Sequence, residues 1–275
     1  MIHRRIPVCA ALCLTLGTMA AQTAPSATSA KDLSNGGTVL ILGDSILDLH
    51  RGEKRVEAIM KRLLDQRAPQ AQWTIYNEAR GGQYIGPTVG APFGTGPLLD
   101  TETAGKYFDI AQRHPNVDAV IVEYGHNDGW VYSPAHFRER LEALTGLLRR
   151  DYPGAVLIFC TTMHIDPKHS TPVSMRELKV PGFQTGRPKN DYLQAYNKEI
   201  REFAAAHRYE LADIYQRLEE ETVRGNWDLR MRNNGDPKDD AQHESDMAWF
   251  TNSHPNDRGT EVIAGLLVEA LTKSR

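Results

Sequence analysis

Four short polar segments hold the residues whose types and order suit chemistry: Gly43-Asp44-Ser45, Asn77-Glu78-Ala79-Arg80-Gly81-Gly82, Gly125-His126-Asn127-Asp128 and Ser253-His254-Pro255-Asn256. A serine hydroxyl is a poor nucleophile until a neighbouring base takes its proton. His254 suits that task, since an imidazole accepts a proton near neutral pH and can return it to a leaving group. Attack by Ser45 on a carbonyl would create an oxyanion, which needs preorganised donors. The backbone N–H groups of Ser45 and Gly82, with the side-chain amide of Asn127, would supply three. Glycine at position 82 also lets the backbone approach a substrate closely. Taken singly, each segment reads as a turn, a loop or a helix start. Taken together, each just after a strand or before the last helix, they point to acyl transfer on Ser45.

The elements that must position these segments show in the hydrophobic pattern. TVLIL (38–42), QWTIY (72–76), DAVIVEY (118–124), AVLIFCT (155–161) and the shorter YELADI (209–214) are continuous apolar runs more than alternations. That pattern suits strands covered on both faces. Between them, Val56, Ile59, Met60, Leu63 and Leu64 recur at helical spacing, as do Phe137, Leu141, Leu144 and Leu148. Leu193, Tyr196, Ile200 and Phe203 follow the same rule, and Val262, Ile263, Leu266, Leu267 and Leu271 close the chain with it. A succession of this kind predicts an α/β domain with a mainly parallel sheet, in which ligands bind beyond the carboxyl ends of the strands. Residues 164–190 and 225–250 read as long irregular segments, and loops of that length usually bind something or are disordered. Trp227 and Trp249 in the second suit stacking on sugar faces.

On these four blocks the sequence resembles the SGNH (or GDSL) hydrolases. The matching blocks run from residue 43 to residue 256. The resemblance implies Ser45 as nucleophile, Gly82 and Asn127 as oxyanion-hole residues and His254 as base. It further implies a flavodoxin-like three-layer α/β/α fold with a mainly parallel five-stranded sheet, and neither metal nor cofactor. One position departs from the family pattern: Thr251 stands three residues before His254, where an aspartate usually orients the imidazole. Either an acid comes from elsewhere, Asp246 being the nearest upstream and Asp257 following, or a Ser–His dyad works with a backbone carbonyl. A catalytically weak, hydrolase-like carbohydrate-binding protein is the third reading. Within the family, Gly125-His126-Asn127-Asp128-Gly129 resembles the carbohydrate acetylesterases, rhamnogalacturonan acetylesterase in particular. The expected substrate is therefore a small ester or an acetylated oligo- or polysaccharide, with a lipase- or arylesterase-type activity as the rival.

Other polar residues receive plainer readings. Asp44 is expected to stabilise its turn by local hydrogen bonding, and His126 to brace its loop. His164 and His169 are read as solvated loop residues. His243, Glu244 and Asp246 form an acidic loop with one histidine, which is not a usual metal-ligand set. A binuclear metallophosphoesterase needs several carboxylate and histidine ligands, and the one early Asp-x-His, Asp48-Leu49-His50, is not joined by a later histidine pair.

Composition sets the frame. The 275 residues are 40% hydrophobic and 24% charged with a formal net charge of −3, without the basic excess of nucleic-acid binders. MIHRR followed by IPVCAALCLTLGTMA has the grammar of a secretory signal peptide. The expected organisation is a leader over 1–24, a flexible lead-in over 25–36 and one catalytic domain over 37–275, in a periplasmic or secreted protein. No later run reaches the ~18 apolar residues of a membrane span. Loss of Arg4 and Arg5 with the leader changes the formal charge from −3 to −5. Cys9 and Cys13 leave with it, so Cys160 remains alone as a buried, inert thiol.

Overall fold

The computed structural model describes residues 31–48, 52–86, 96–99, 105–130, 133–163, 189–223, 229 and 254–273. Each apolar run becomes a strand close to its expected bounds: β1 (Gly36–Gly43), β2 (Gln72–Asn77), β5 (Ala119–Glu123), β6 (Val156–Cys160) and β7 (Glu210–Ala212). They form one five-stranded sheet in the order β2-β1-β5-β6-β7, and every pairing in it is parallel. Two further strands, β3 (Gln83–Tyr84) and β4 (Gly96–Pro97), pair separately. The helices are α1 (Ser45–Asp48), α2 (Val56–Arg67), α3 (Gly105–Arg113), α4 (Pro134–Asp151), α5 (Lys189–His207), α6 (Ile214–Val223) and α7 (Asp257–Lys273).

In β1, β5 and β6 the continuous apolar runs are explained by two cores, one on each face of the sheet, whereas the edge strand β2 alternates and exposes Gln72, Thr74 and Tyr76. Successive strand residues point to opposite faces, so Val39, Ile41, Ala119, Ile121, Val156 and Ile158 meet α2, α6 and α7. Leu40, Leu42, Val120, Val122, Leu157 and Phe159 face the other way, toward α3, α4 and α5. The result is the expected three-layer α/β/α sandwich. Each fully buried Val, Leu or Ile here contributes about 1.5–3 kcal/mol through removal from water.

Local signals set the helix starts. Ser133 accepts a hydrogen bond from the His136 N–H, with Pro134 at the first helical position of α4. Asn256 Oδ1 accepts from the Gly259 N–H at 2.9 Å and so caps α7. The described part of the lead-in packs against the sheet. Leu33 is 1% exposed inside the first core, Lys31 pairs with Asp118 and Gly36 already opens β1. Apolar burial and pairing with the sheet order these residues despite their turn-rich composition. The leader itself lies outside the described residues. Among the described residues, no helix is long and apolar enough to cross a membrane.

Strand order reverses between β1 and β5, since β1 is followed by β2 on one side and β5 lies on the other. A crevice opens beyond the carboxyl ends at such a switch point. Gly43 ends β1 and pairs in register with Glu123, which ends β5. Residues 44–48 and 124–128 therefore leave the sheet side by side.

Candidate active site

Ser45 is the first residue of α1, directly after β1. Asp44 caps that turn: its Oδ1 accepts from the Ile46 N–H at 2.9 Å and its carbonyl from Leu47 N–H at 3.2 Å. The Ser45 hydroxyl is thus spared the capping role and lies 2.8 Å from His254 Nε2. With its proton on Nδ1, the imidazole accepts the Ser45 O–H through Nε2. His254 is 7% exposed and is anchored two residues before the Asn256 cap. Asn256 N–H also donates to the Leu229 carbonyl at 3.0 Å.

The glycine segment reaches the same place by extending the sheet. Glu78 N–H donates to the Ile41 carbonyl and Arg80 N–H to the Gly43 carbonyl, both at 2.9 Å. Gly81 N–H donates to Asp48 Oδ2 at 3.1 Å, and a Cβ at Gly81 would stand 3.8 Å from Ser45 Cβ. Gly82 has φ 73°, a left-handed conformation that side-chain-bearing residues rarely adopt. Asn77 ties this segment to the serine turn, its Nδ2 donating to the Leu47 carbonyl and to Glu57 Oε2, each at 2.9 Å.

Asn127 bridges the two segments. Its Nδ2 donates to Asp44 Oδ2 at 3.1 Å and to the Gln83 carbonyl at 3.0 Å. Those acceptors belong to the chain neighbours of Ser45 and Gly82, so Ser45, Gly82, Asn127 and His254 all converge. One difference from the expectation stands out: both amide hydrogens of Asn127 are used within the protein. To serve an oxyanion, the amide must share one of them with the substrate. Asp44 is likewise more than a local turn stabiliser, because it orients Asn127 across 83 positions of sequence. Asp246 and Thr251 lie outside the described residues, as do His164, His169, His243, Glu244, Trp227 and Trp249.

The supporting polar groups went largely unread in the sequence. Gln83 is 1% exposed, and its Oε1 accepts from the Tyr124 hydroxyl at 2.7 Å. Asp128 accepts from Ile85 N–H at 2.9 Å and from Gly125 N–H at 3.1 Å. Gly125, with φ 129°, makes the bend that brings Asp128 back under its own loop. His126 is 3% exposed, and its ring centroid lies 6.4 Å from that of His254. Cys160 is buried and free. Burial pushes its thiol well above the usual range, which fits an inert thiol.

Burial, joined by the charge of Asp44, outweighs the backbone donors to Asp128 and raises its carboxyl to about 7. The folded protein thus keeps this proton where the unfolded chain, with a carboxyl near 3.8, has lost it. The sign follows: stability falls as pH rises from about 4 to about 7 and levels off above. Each pH unit in that window costs about 1.4 kcal/mol. The groups held low act elsewhere. Asp151 is held low by Arg150, and Asp213, despite its burial, by Arg201. Their contributions are lost only as pH falls below about 4. Between pH 5 and 8, wild type should therefore lose about 3 kcal/mol relative to Asp128→Asn, or about 6–10 °C in Tm. Calorimetry across that range checks it, and parallel Tm curves for the two proteins would contradict the shift.

The comparisons with known proteins follow this geometry. The family model described as the GDSL-like lipase/acylhydrolase family matches residues 41–262. Among solved structures, LAE5, an alpha/beta hydrolase enzyme from the metagenome of Lake Arreo, Spain, is similar with a TM-score of 0.58 and 16% identity, over 87% of this chain and 96% of that one. The M. smegmatis aryl esterase gives 0.56 and 12%, over 86% and 99%. Axe2, an acetylxylan esterase from Geobacillus stearothermophilus, gives 0.55 and 16%, over 86% and 94%. No curated protein matches the sequence significantly. At these identities the structures speak for the fold, and the family model speaks for the chain.

Proposed function

The chain belongs to the GDSL-like lipase/acylhydrolase family and is an ester hydrolase, and from that premise we propose that it is an exported carbohydrate O-acetylesterase working through an acyl-enzyme on Ser45. The observation that carries the serine mechanism is the 2.8 Å approach of Ser45 Oγ to His254 Nε2. His254 takes the Ser45 proton as Oγ bonds to the ester carbonyl carbon. The carbonyl oxygen becomes an oxyanion, met by Asn127 Nδ2 and the backbone N–H groups of Ser45 and Gly82. Collapse of this intermediate breaks the bond to the alkoxy oxygen, which leaves as an alcohol with the proton from His254. Water then attacks the acyl-enzyme with His254 again as base, releasing the carboxylic acid and restoring Ser45.

The preference for acetylated carbohydrate draws on the Gly125-His126-Asn127-Asp128-Gly129 block and on Trp227 and Trp249. The Geobacillus acetylxylan esterase has a similar fold. Export draws on the basic and apolar segments at the N-terminus. The test is a screen of the purified protein on acetylated oligosaccharides beside nitrophenyl acetate, butyrate and octanoate. A pocket fitted to acetyl should lose about tenfold or more in kcat/KM for each misfitting extension of the acyl chain, and acetylated sugars should be turned over. Equal or better turnover of octanoate, without activity on acetylated sugars, would assign a lipase- or arylesterase-type specificity instead.

A further inference from the structure

Three carboxyl groups are fully buried around the serine turn: Asp44, Glu123 and Asp128. Asp44 and Asp128 each accept hydrogen bonds from identified donors. Glu123 differs: neither of its side-chain oxygens has an aligned hydrogen-bond partner among the described residues. It ends β5 in register with Gly43 on one side and with Cys160 on the other, and its carboxyl lies against Asp44. The groups that bear on it are Asp44 from the serine turn, Asp128 and Tyr124 from its own loop, and the Cys160 thiol from β6. An ionised Glu123 would set a second full charge beside Asp44, with the Asp44 backbone N–H as its stabilising contact. Burial first, and then the charge of Asp44, hold its carboxyl well above the usual carboxylate range.

We propose that Glu123 is a positioning residue for ester cleavage at Ser45: as a neutral carboxylic acid it turns its O–H toward Asp44, and so keeps that carboxylate behind the Asn127 amide as an orienting acceptor of reduced charge. This rests on the acyl-enzyme reading above. Asn127 has two amide hydrogens, both already used, at Asp44 Oδ2 and at the Gln83 carbonyl. A bare Asp44 carboxylate would grip its hydrogen strongly and would place negative charge one residue from the developing oxyanion. A proton given by Glu123 weakens that grip and spreads the charge, so the amide can lean toward the oxyanion as it forms. The effect appears only in the transition state, and so in kcat rather than KM.

Two variants separate this role from simple filling of space. Glu123→Gln keeps a neutral donor toward Asp44 and should retain kcat within about threefold. Glu123→Leu fills similar volume without a donor. Its Tm should fall by no more than a few degrees, because Asp44 loses one donor but keeps the Ile46 N–H and the Asn127 amide. Its kcat should nevertheless drop about 10- to 100-fold with KM within about twofold, below the 10²–10³-fold cost of deleting an oxyanion donor itself. Equal kcat for Glu123→Gln and Glu123→Leu would overturn the proposal, as would a loss of more than about 30-fold in Glu123→Gln, which would mean that an ionised carboxylate is needed. Wild type is assayed alongside with a fluorophosphonate probe. If wild type neither labels nor turns over esters, the acyl-enzyme reading fails; if it does both and the variants match it, only the role of Glu123 fails.

Discussion

Replacing Ser45 with alanine should leave a folded protein and lower ester turnover by about 10⁴- to 10⁶-fold. Ser45 is only partly buried and does not cap its own turn, which Asp44 does. The substitution therefore removes a nucleophile with little change in packing, and Tm should move by no more than a few degrees. KM-type binding of the ester should persist, because Asn127 and the glycine segment are untouched. Steady-state kinetics on nitrophenyl acetate, with Tm as the control for folding, checks the expectation. Turnover within about tenfold of wild type would show that another group attacks the carbonyl.

The second large effect belongs to His254. In His254→Ala, Ser45 loses the only base seen within hydrogen-bond reach among the described residues, and turnover should fall by about 10⁴- to 10⁶-fold, as for removal of either member of a nucleophile–base pair. The Asn256 cap on α7 does not depend on the imidazole, so the helix should remain and the loss should fall on kcat. In the double variant Ser45→Ala/His254→Ala the penalties should not add, since the two groups act as a unit. Independent, multiplying losses would contradict the pairing seen at 2.8 Å. The orienting group on the far side of the imidazole follows from one more substitution. Asp246→Asn should lower kcat sharply if that carboxylate takes the place usually held by the residue at Thr251. An unchanged rate would favour a dyad held by a backbone carbonyl.

Much of the scaffold was legible because its core is continuous. Runs such as TVLIL and VLIFC are buried on both faces, so the strands stand out without any reference to their partners. The helices with four or five apolar positions, α2, α4, α5 and α7, were visible for the same reason. Helices α3 and α6 were not: α3 buries Tyr107 and Ile110, and α6 Ile214, Tyr215 and Leu218, too few apolar positions to give a clear period in a short segment. The site was legible at its chemically assertive positions, Ser45 and His254, which the structure brings together across 209 positions. The polar scaffold behind them was not. Asp44 reads as a turn residue until the fold sets Asn127 against it, and no spacing within the chain encodes that contact. Glu123 did leave a trace, as the acid inside the apolar run AVIVEY (119–124). Only the parallel register with β1 reveals that it meets Asp44 rather than solvent.

The most direct measurement is mass spectrometry of the intact protein after incubation with a fluorophosphonate, followed by mapping of the modified peptide. If Ser45 is activated by His254, one adduct should form per chain and lie on Ser45. It should be absent in Ser45→Ala and slowed by at least about 10³-fold in His254→Ala, the order of rate that triad chemistry commands. An adduct on any other residue, or one on Ser45 that forms as fast without His254, would contradict the mechanism.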